Sequence, residues 1–366
     1  MRVVTVDPVH PDPSALAEAA ALIRAGELVA FPTETVYGLG ANALDADAVV
    51  RIYAAKGRPA WNPVIVHAAN AAEARRHAAT WPRSAERLAE RCWPGPLTLV
   101  VPRAAHIPDV VAAGGETVAL RVPAHPVALA LIDAAGCPIA APSANRFTRV
   151  SPTTAQHVVA SLGDRVPLVL DGGPCTVGIE STVVDCGEDV VTILRPGMIG
   201  RETLEAALDG LGIVVRHATT PAVPHGEAMD TAMAAPTDST AHMASHVPRS
   251  PGMADRHYAP RADVWLFTPA QREEVETALR ERAETTVLDG LHPVIGLLRT
   301  ITFGNSSVQA MVQTIAMPAA PMAYAQALYA ALHEVDARGA SLVLIEAPPD
   351  EPGWDGIRDR LTRASR

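Results

Sequence analysis

The 366-residue sequence is short of aromatic residues, which make up 4%, and of cysteine, of which there are four. Its 48% hydrophobic content is therefore largely small Ala and Val, enough for ordinary packed cores. Cys92, Cys137, Cys175 and Cys186 form no C-x-x-C pair and no zinc-ligand spacing. They read as buried or incidental thiols of a reducing compartment. Basic residues are in deficit, 30 against 40 acidic ones, for a net charge of −10. That balance argues against a constitutive, tight grip on nucleic acid but leaves room for a local basic pocket for a small anion. No G-x-x-x-x-G-K-[ST] occurs, and Gly38-Leu39-Gly40 lacks the third glycine of a dinucleotide fingerprint. The stretch from Phe303 to His333 has no Asp, Glu, Lys or Arg, but Gln309, Gln313, Pro318, Pro321 and Gln326 interrupt it, which excludes a membrane span there. The opening residues meet Asp7 and Pro8 too early for a signal peptide. A soluble, cytoplasmic protein is the expectation.

What is present is an alternation of short apolar runs and amphipathic stretches, the pattern of a mixed α/β domain. Ser14 is the expected cap of a helix to Arg24, and Asp45 of one ending at Gly57. Strands are expected at 28–31, 64–66, 97–101, 117–122, 167–170 and 190–194, and helices at 84–91, 126–135, 153–162 and 201–208. From about residue 216 to 261, Pro, His, Met, Ala and Ser recur without a period, so this stretch reads as a linker. Beyond it, strands at 264–267, 294–298 and 342–345 alternate with helices at 270–283, 321–336 and 355–364. This rhythm predicts a smaller, largely parallel α/β domain. The domains expected are thus 1–215, a linker 216–261, and 262–366.

Five polar clusters stand at strand or helix ends. Pro32-Thr33-Glu34-Thr35 follows a strand, and alternation puts Thr33 and Thr35 on one side and Glu34 on the other. Lys56-Gly57-Arg58-Pro59, followed by Asn62-Pro63 and His67, sets two cations one glycine apart. They are either ordinary complements to a helix C-terminus or a grip on a polyphosphate. In Thr117–Arg121 the strand period places Thr117, Ala119 and Arg121 on one face, the outer two roughly 13 Å apart. Small Ala119 leaves space between them. A lone Arg in an apolar strand needs a buried acid, and none is evident nearby in sequence. Pro142-Ser143-Ala144-Asn145 reads as a strand exit, leading to Ser151 or Thr153 as a helix cap. The last cluster is Gly178-Ile179-Glu180-Ser181, with Arg195-Pro196-Gly197 ending the next strand.

In order and combination these clusters resemble the YrdC-like family in its long, two-domain form, the threonylcarbamoyl-AMP synthases. The resemblance rests on FPTETVYGLG (31–40), KGRP (56–59), NPVIVH (62–67), ALRVP (119–123), PSAN (142–145), SPTTAQHV (151–158), GIESTVVD (178–185), LRPG (194–197), SPGM (250–253) and HYAP (257–260). It is close over residues 14 to about 210, and looser over LYAALHEVDARG (328–339) and DRLTRAS (359–365). It implies a YrdC-like twisted mixed-sheet domain joined to a smaller Rossmann-like α/β domain.

The resemblance further implies synthesis of L-threonylcarbamoyl-adenylate from L-threonine, bicarbonate or CO2, and ATP, with release of pyrophosphate. Mg2+ would neutralise the leaving group. Downstream tRNA threonylcarbamoyl transferase proteins would carry the group to tRNA. Thr35, His67, Arg121, Ala141 and Ser181 match the family's threonine pocket. Lys56, Arg58, Asn62, Thr117, Ser143, Asn145, Ser151 and Arg195 match its ATP side, with Lys56 and Arg58 given the catalytic role and no protein metal ligand assigned. Tyr258 matches a linker residue that folds back over the nucleotide, which makes the linker a lid. Val64 stands where the family has Leu. Ala254-Asp255 replaces a basic or aromatic pair, which puts a phosphate contact there in doubt. His242 and His246 have i,i+4 spacing without supporting metal ligands. The alternative reading is a non-catalytic RNA-binding or ribosome-assembly protein of the same fold.

Overall fold

The computed structural model describes residues 1–218, 257–285, 293–300 and 302–366. The expectations for SPGM, for His242 and His246, for Ala254-Asp255 and for most of the linker lie outside the described residues.

Local chemistry sets the helix ends. Asp45 accepts hydrogen bonds from the Asp47 and Ala48 amides, and the helix Ala46–Lys56 ends on a left-handed Gly57, as the sequence predicts. The first helix, Pro13–Arg24, differs: Asp12, not Ser14, is its cap. Pro13 is preorganised for the first helical position, which puts Ser14 inside the first turn, where its amide and its hydroxyl, at 2.7 Å, both donate to Asp12. Likewise Thr154, rather than Ser151 or Thr153, caps Ala155–Leu162.

The larger sheet has eleven strands. Their spatial order is Arg2–Thr5, Leu168–Asp171, Val29–Phe31, Gly38–Asn42, Ile139–Ala140, Ile65–His67, Thr117–Arg121, Leu97–Pro102, Thr182–Cys186, Val190–Arg195 and Val214–His217. Pairings are both parallel and antiparallel, so the sheet is mixed. Sequence reasoning missed several members. Ile139–Ala140 is too short to show a period, and Gly38–Asn42 is masked by its two glycines. All four cysteines are free thiols.

The smaller sheet, Asp263–Phe267, Leu342–Glu346, Val294–Leu298 and Val312–Ala316, is parallel throughout. Its last strand was not expected, because an edge strand with exposed Gln313 and Thr314 reads as loop. A parallel sheet must be covered on both faces. Leu342 and Leu344 accordingly pack with Val275, Leu279 and Phe303, while Val343 and Ile345 pack with Leu328, Leu332, Ile357 and Leu361.

The two units meet along the helices Pro321–Ala337 and Asp355–Ala364. At this joint the His157 and His333 rings stack 3.8 Å apart, and His333 Nε2 lies 3.1 Å from the Ser151 carbonyl oxygen. Burial, then the neighbouring His333, lowers His157 from its ordinary 6.5 to about 4. The folded joint therefore holds a neutral ring that the unfolded chain protonates near 6.5. Its contribution is intact above pH 6.5 and lost as pH falls toward about 4. Unfolding midpoints recorded across that window should fall less steeply for His157→Gln than for the unaltered protein; parallel curves would remove His157 from the account.

Candidate active site

The pocket forms where the ends of seven strands of the larger sheet and their loops converge. Between the antiparallel strands Val29–Phe31 and Gly38–Asn42, a tight turn buries Thr33, Glu34 and Thr35. The Thr33 and Thr35 hydroxyls are 2.9 Å apart, and Thr33 also donates to the Val36 carbonyl at 2.7 Å. The parallel register of Ile65–His67 on Thr117–Arg121 sets His67 directly beside Arg121. Ala141 leaves the two-residue strand with its amide bound to the Ile65 carbonyl at 2.9 Å, which brings Ala141, Pro142 and Ser143 to the rim. Ser181 enters from the far side, its hydroxyl 2.8 Å from Thr98, and Arg195 Nη2 donates to the Ser181 carbonyl at 3.0 Å.

Nine of the sequence-predicted residues line this one pocket: Thr35, Arg58, His67, Arg121, Ala141, Ser143, Ser181, Arg195 and Tyr258. Lys56, Asn62, Asn145 and Ser151 sit one layer behind them. The Lys56 ammonium donates to the Ser143 carbonyl and, at 2.5 Å, to that of Asn145. Arg58 donates to Asn62 Oδ1 at 2.6 Å and to the Pro63 carbonyl at 2.7 Å. Ser151 donates to Glu180 at 2.5 Å. Thr117 is the one that stands apart. It lies at the other end of the Arg121 strand, opposite Pro102, and Ala119 between them packs against Ile65, Val100 and Val183.

Arg121 does have its buried acid. Glu34 Oε1 is 2.7 Å from Arg121 Nη2, with both side chains almost wholly enclosed. Sequence reasoning missed the pair because alternation put Glu34 away from Thr33 and Thr35 without showing what lies on that side. The contact is close but poorly directed: neither Glu34 oxygen nor Arg121 Nη2 makes a well-aligned hydrogen bond. His67 Nδ1, His257 Nδ1, Asn62 Nδ2 and the Tyr258 hydroxyl are likewise buried without a hydrogen-bond partner among the described residues. Buried polar atoms are normally satisfied, so such a concentration around one pocket marks a place for a polar ligand.

The electrostatics divide the pocket. Burial, reinforced by Arg121, lowers His67 to about 3, so it is a neutral ring at pH 7. Burial also lowers Lys56 well below its ordinary value and Arg58 to about 10. Arg58 stays a cation, its partners being neutral oxygens that leave its charge uncancelled. Burial would push Glu180 up, but Arg360, Arg195 and the Ser151 hydroxyl bring it down to about 2. Glu180 and His257 were not among the predicted site residues, although both lie within the quoted motifs.

The family described as "Telomere recombination" matches residues 21–197, and "Threonylcarbamoyl-AMP synthase, C-terminal domain" matches residues 199–366. The chain is similar to the threonylcarbamoyl-AMP synthase of Pyrococcus abyssi, 39% identical over 95% of this chain and 93% of that one. It is 38% identical to the Bacillus subtilis protein of the same name, over 96% and 92%. Among solved structures, P. abyssi Sua5 complexed with L-threonine superposes with a TM-score of 0.81 and 37% identity, covering 100% of this chain and 98% of that one. Matches that run through both α/β units and the segment between them, at this identity, are those of common descent, and the chain belongs to the two-domain threonylcarbamoyl-AMP synthase family.

Proposed function

We propose that the protein makes L-threonylcarbamoyl-adenylate from L-threonine, bicarbonate or CO2, and ATP, acting as a nucleotidyltransferase that releases pyrophosphate. The observation that carries this is the polarity of one pocket, with Arg121 and neutral His67 on one side and Arg58 and Arg195, backed by Lys56, on the other. The names of the relatives favour an enzyme over the RNA-binding alternative. No helix of the described residues is long and apolar enough to cross a membrane.

Arg121 suits a substrate carboxylate, since a guanidinium fork matches its two oxygens. Thr35, Ala141 and Ser181 are the other residues proposed for threonine. The free amine of threonine adds to CO2: the N–C bond forms as one C=O π pair moves onto oxygen, one N–H proton passes to solvent, and a carbamate that keeps its other N–H remains. A carbamate oxygen then attacks the α-phosphorus, and the bond to pyrophosphate breaks. No protein nucleophile is required, so positioning and cationic stabilisation of phosphate oxygens supply the catalysis. Arg58, Ser143, Arg195 and Tyr258 line the side proposed for ATP, with Lys56, Asn62, Asn145 and Ser151 holding them; Thr117 is the weakest member of the set. Mg2+ would arrive on the triphosphate and offset part of its charge. The described residues hold no group of three His, Cys, Asp or Glu able to bind a metal, so no protein metal site is proposed. The catalytic domain proposed is 1–215, with 216–261 as linker and 262–366 as the second domain. The product would pass to proteins that modify tRNA.

Mass spectrometry after incubation with threonine, bicarbonate and MgATP should detect the adenylate, with one pyrophosphate per product. RNA binding at moderate salt without any adenylate would favour the alternative. Serine should replace threonine with kcat/KM lower by about 10- to 200-fold, because one methyl contributes only about 1–3 kcal/mol in an apolar pocket. Complete rejection of serine would require a steric or polar filter beyond the residues named here.

A further inference from the structure

The helices of the smaller unit are built into the wall of the pocket. Tyr329 and Leu332 of Pro321–Ala337, and Ile357 and Leu361 of Asp355–Ala364, share one apolar cluster with Val36, Val150 and Ile179 of the pocket loops. Backbones come within reach at two points. A Cβ on Gly178 would stand 2.4 Å from the Ala325 carbonyl oxygen, and one on Gly356 would stand 2.8 Å from Gly197 Cα. Only glycine permits either approach.

From this platform Arg360 reaches back into the site. Its side chain is 1% exposed. Nε donates to Glu180 Oε2 at 2.8 Å and Nη1 to the Pro196 carbonyl at 2.9 Å. The guanidinium also sits 5.0 Å from the centre of the Tyr258 ring. Tyr329 adds a hydroxyl hydrogen bond to the same Glu180 oxygen at 2.9 Å, and Asp359 holds Arg360 Nη1 at 2.7 Å. Glu180 and Tyr258 both line the pocket, and Pro196 directly follows Arg195, which does too.

We propose that Arg360 is a positioning residue for the nucleotide end of the pocket, making the second α/β unit a working part of the site. The proposal rests on the ATP reading above. Without Arg360, Glu180 would be a buried anion facing the place of a polyphosphate. With it, that charge is offset, and the Arg58 cation, held only by neutral oxygens, remains for the ligand. The same side chain fixes the face of Tyr258 and the backbone beside Arg195. No contact joins Arg360 to Arg121 or His67, so the threonine end should be insensitive to it.

The test uses the full chain, with calorimetric titration of a non-hydrolysable ATP analogue and of threonine, each alone, beside thermal unfolding. Arg360→Met should weaken the nucleotide about ten- to a hundred-fold, the scale of loss from misplaced site groups, and leave threonine affinity in place. Arg360→Lys, which keeps a charge near Glu180 but lacks the fork, should fall between. Arg360→Met combined with Glu180→Gln should recover the unfolding midpoint and part of the nucleotide affinity, because the unpaired buried charge is gone, and leave the rest of the loss, because Tyr258 and the Pro196 backbone stay unbraced. This double variant carries the test if Arg360→Met alone does not fold. Equal weakening of both ligands, unchanged nucleotide affinity in Arg360→Met, or full recovery of nucleotide affinity in the double variant would overturn the positioning role alone. Absence of nucleotide binding by the unaltered protein would overturn the ATP reading and this proposal together.

Discussion

Arg121→Ala will lose threonine binding and keep nucleotide binding. The guanidinium stands at the end of a strand paired on both sides, beside neutral His67 and against Glu34, with little of either charged side chain exposed. Removing one member of a desolvated, charge-assisted contact costs about 2–5 kcal/mol. That corresponds to a loss of about thirty-fold to a few thousand-fold in threonine affinity. Part of the effect will come from Glu34, left as a buried carboxylate without its Arg121 partner. Arg121→Ala combined with Glu34→Gln should therefore regain stability without regaining threonine. Arg121→Lys should rescue little, because an ammonium cannot reproduce the planar fork. Calorimetric titration with threonine gives the answer, and unaltered affinity in Arg121→Ala would reject the assignment.

Lys56→Met and Arg58→Met should each lower adenylate formation by about 10²–10³-fold, the usual cost of removing one preorganised group that stabilises developing charge. Threonine binding should survive, since neither cation touches Arg121, His67 or Thr35. The arrangement gives the two residues distinct failure modes. Lys56 is held by the Ser143 and Asn145 carbonyls, so its loss also frees the loop that presents Ser143. Arg58 itself lines the pocket, braced by Asn62 and Pro63. A double variant should accordingly lose less than the sum of the two single effects, because both serve the same end of the pocket, Arg58 directly and Lys56 through the loop that carries Ser143. Single-turnover pyrophosphate release separates this from binding. Turnover at the unaltered rate in both variants would reduce the two residues to ordinary cations at a helix end.

The sequence by itself determined the features whose causes are local. Asp45 and Gly57 bound their helix through capping chemistry, and that is what delivers Lys56 and Arg58 side by side to one loop. Alternation placed Arg121 on one strand face with Thr117 and Ala119, and apolar runs separated by helical periods gave both α/β units, the smaller one parallel. The quoted motifs identified the family because their order is preserved along the chain. Only the tertiary structure decided which partner each of these groups would find. Glu34 belongs to Arg121, and the Ser151 hydroxyl belongs to Glu180 rather than to the next helix. Arg360 is the sharpest instance. In DGIRDRLTRA it stands among Asp355, Arg358, Asp359 and Arg363, a pattern that reads as a solvated helix face, yet it is buried between the two units. Capping and periodicity act over a few residues and leave a mark in the chain. The pairing of one buried charge with another far away in sequence leaves none, because it depends on how two independently patterned units dock.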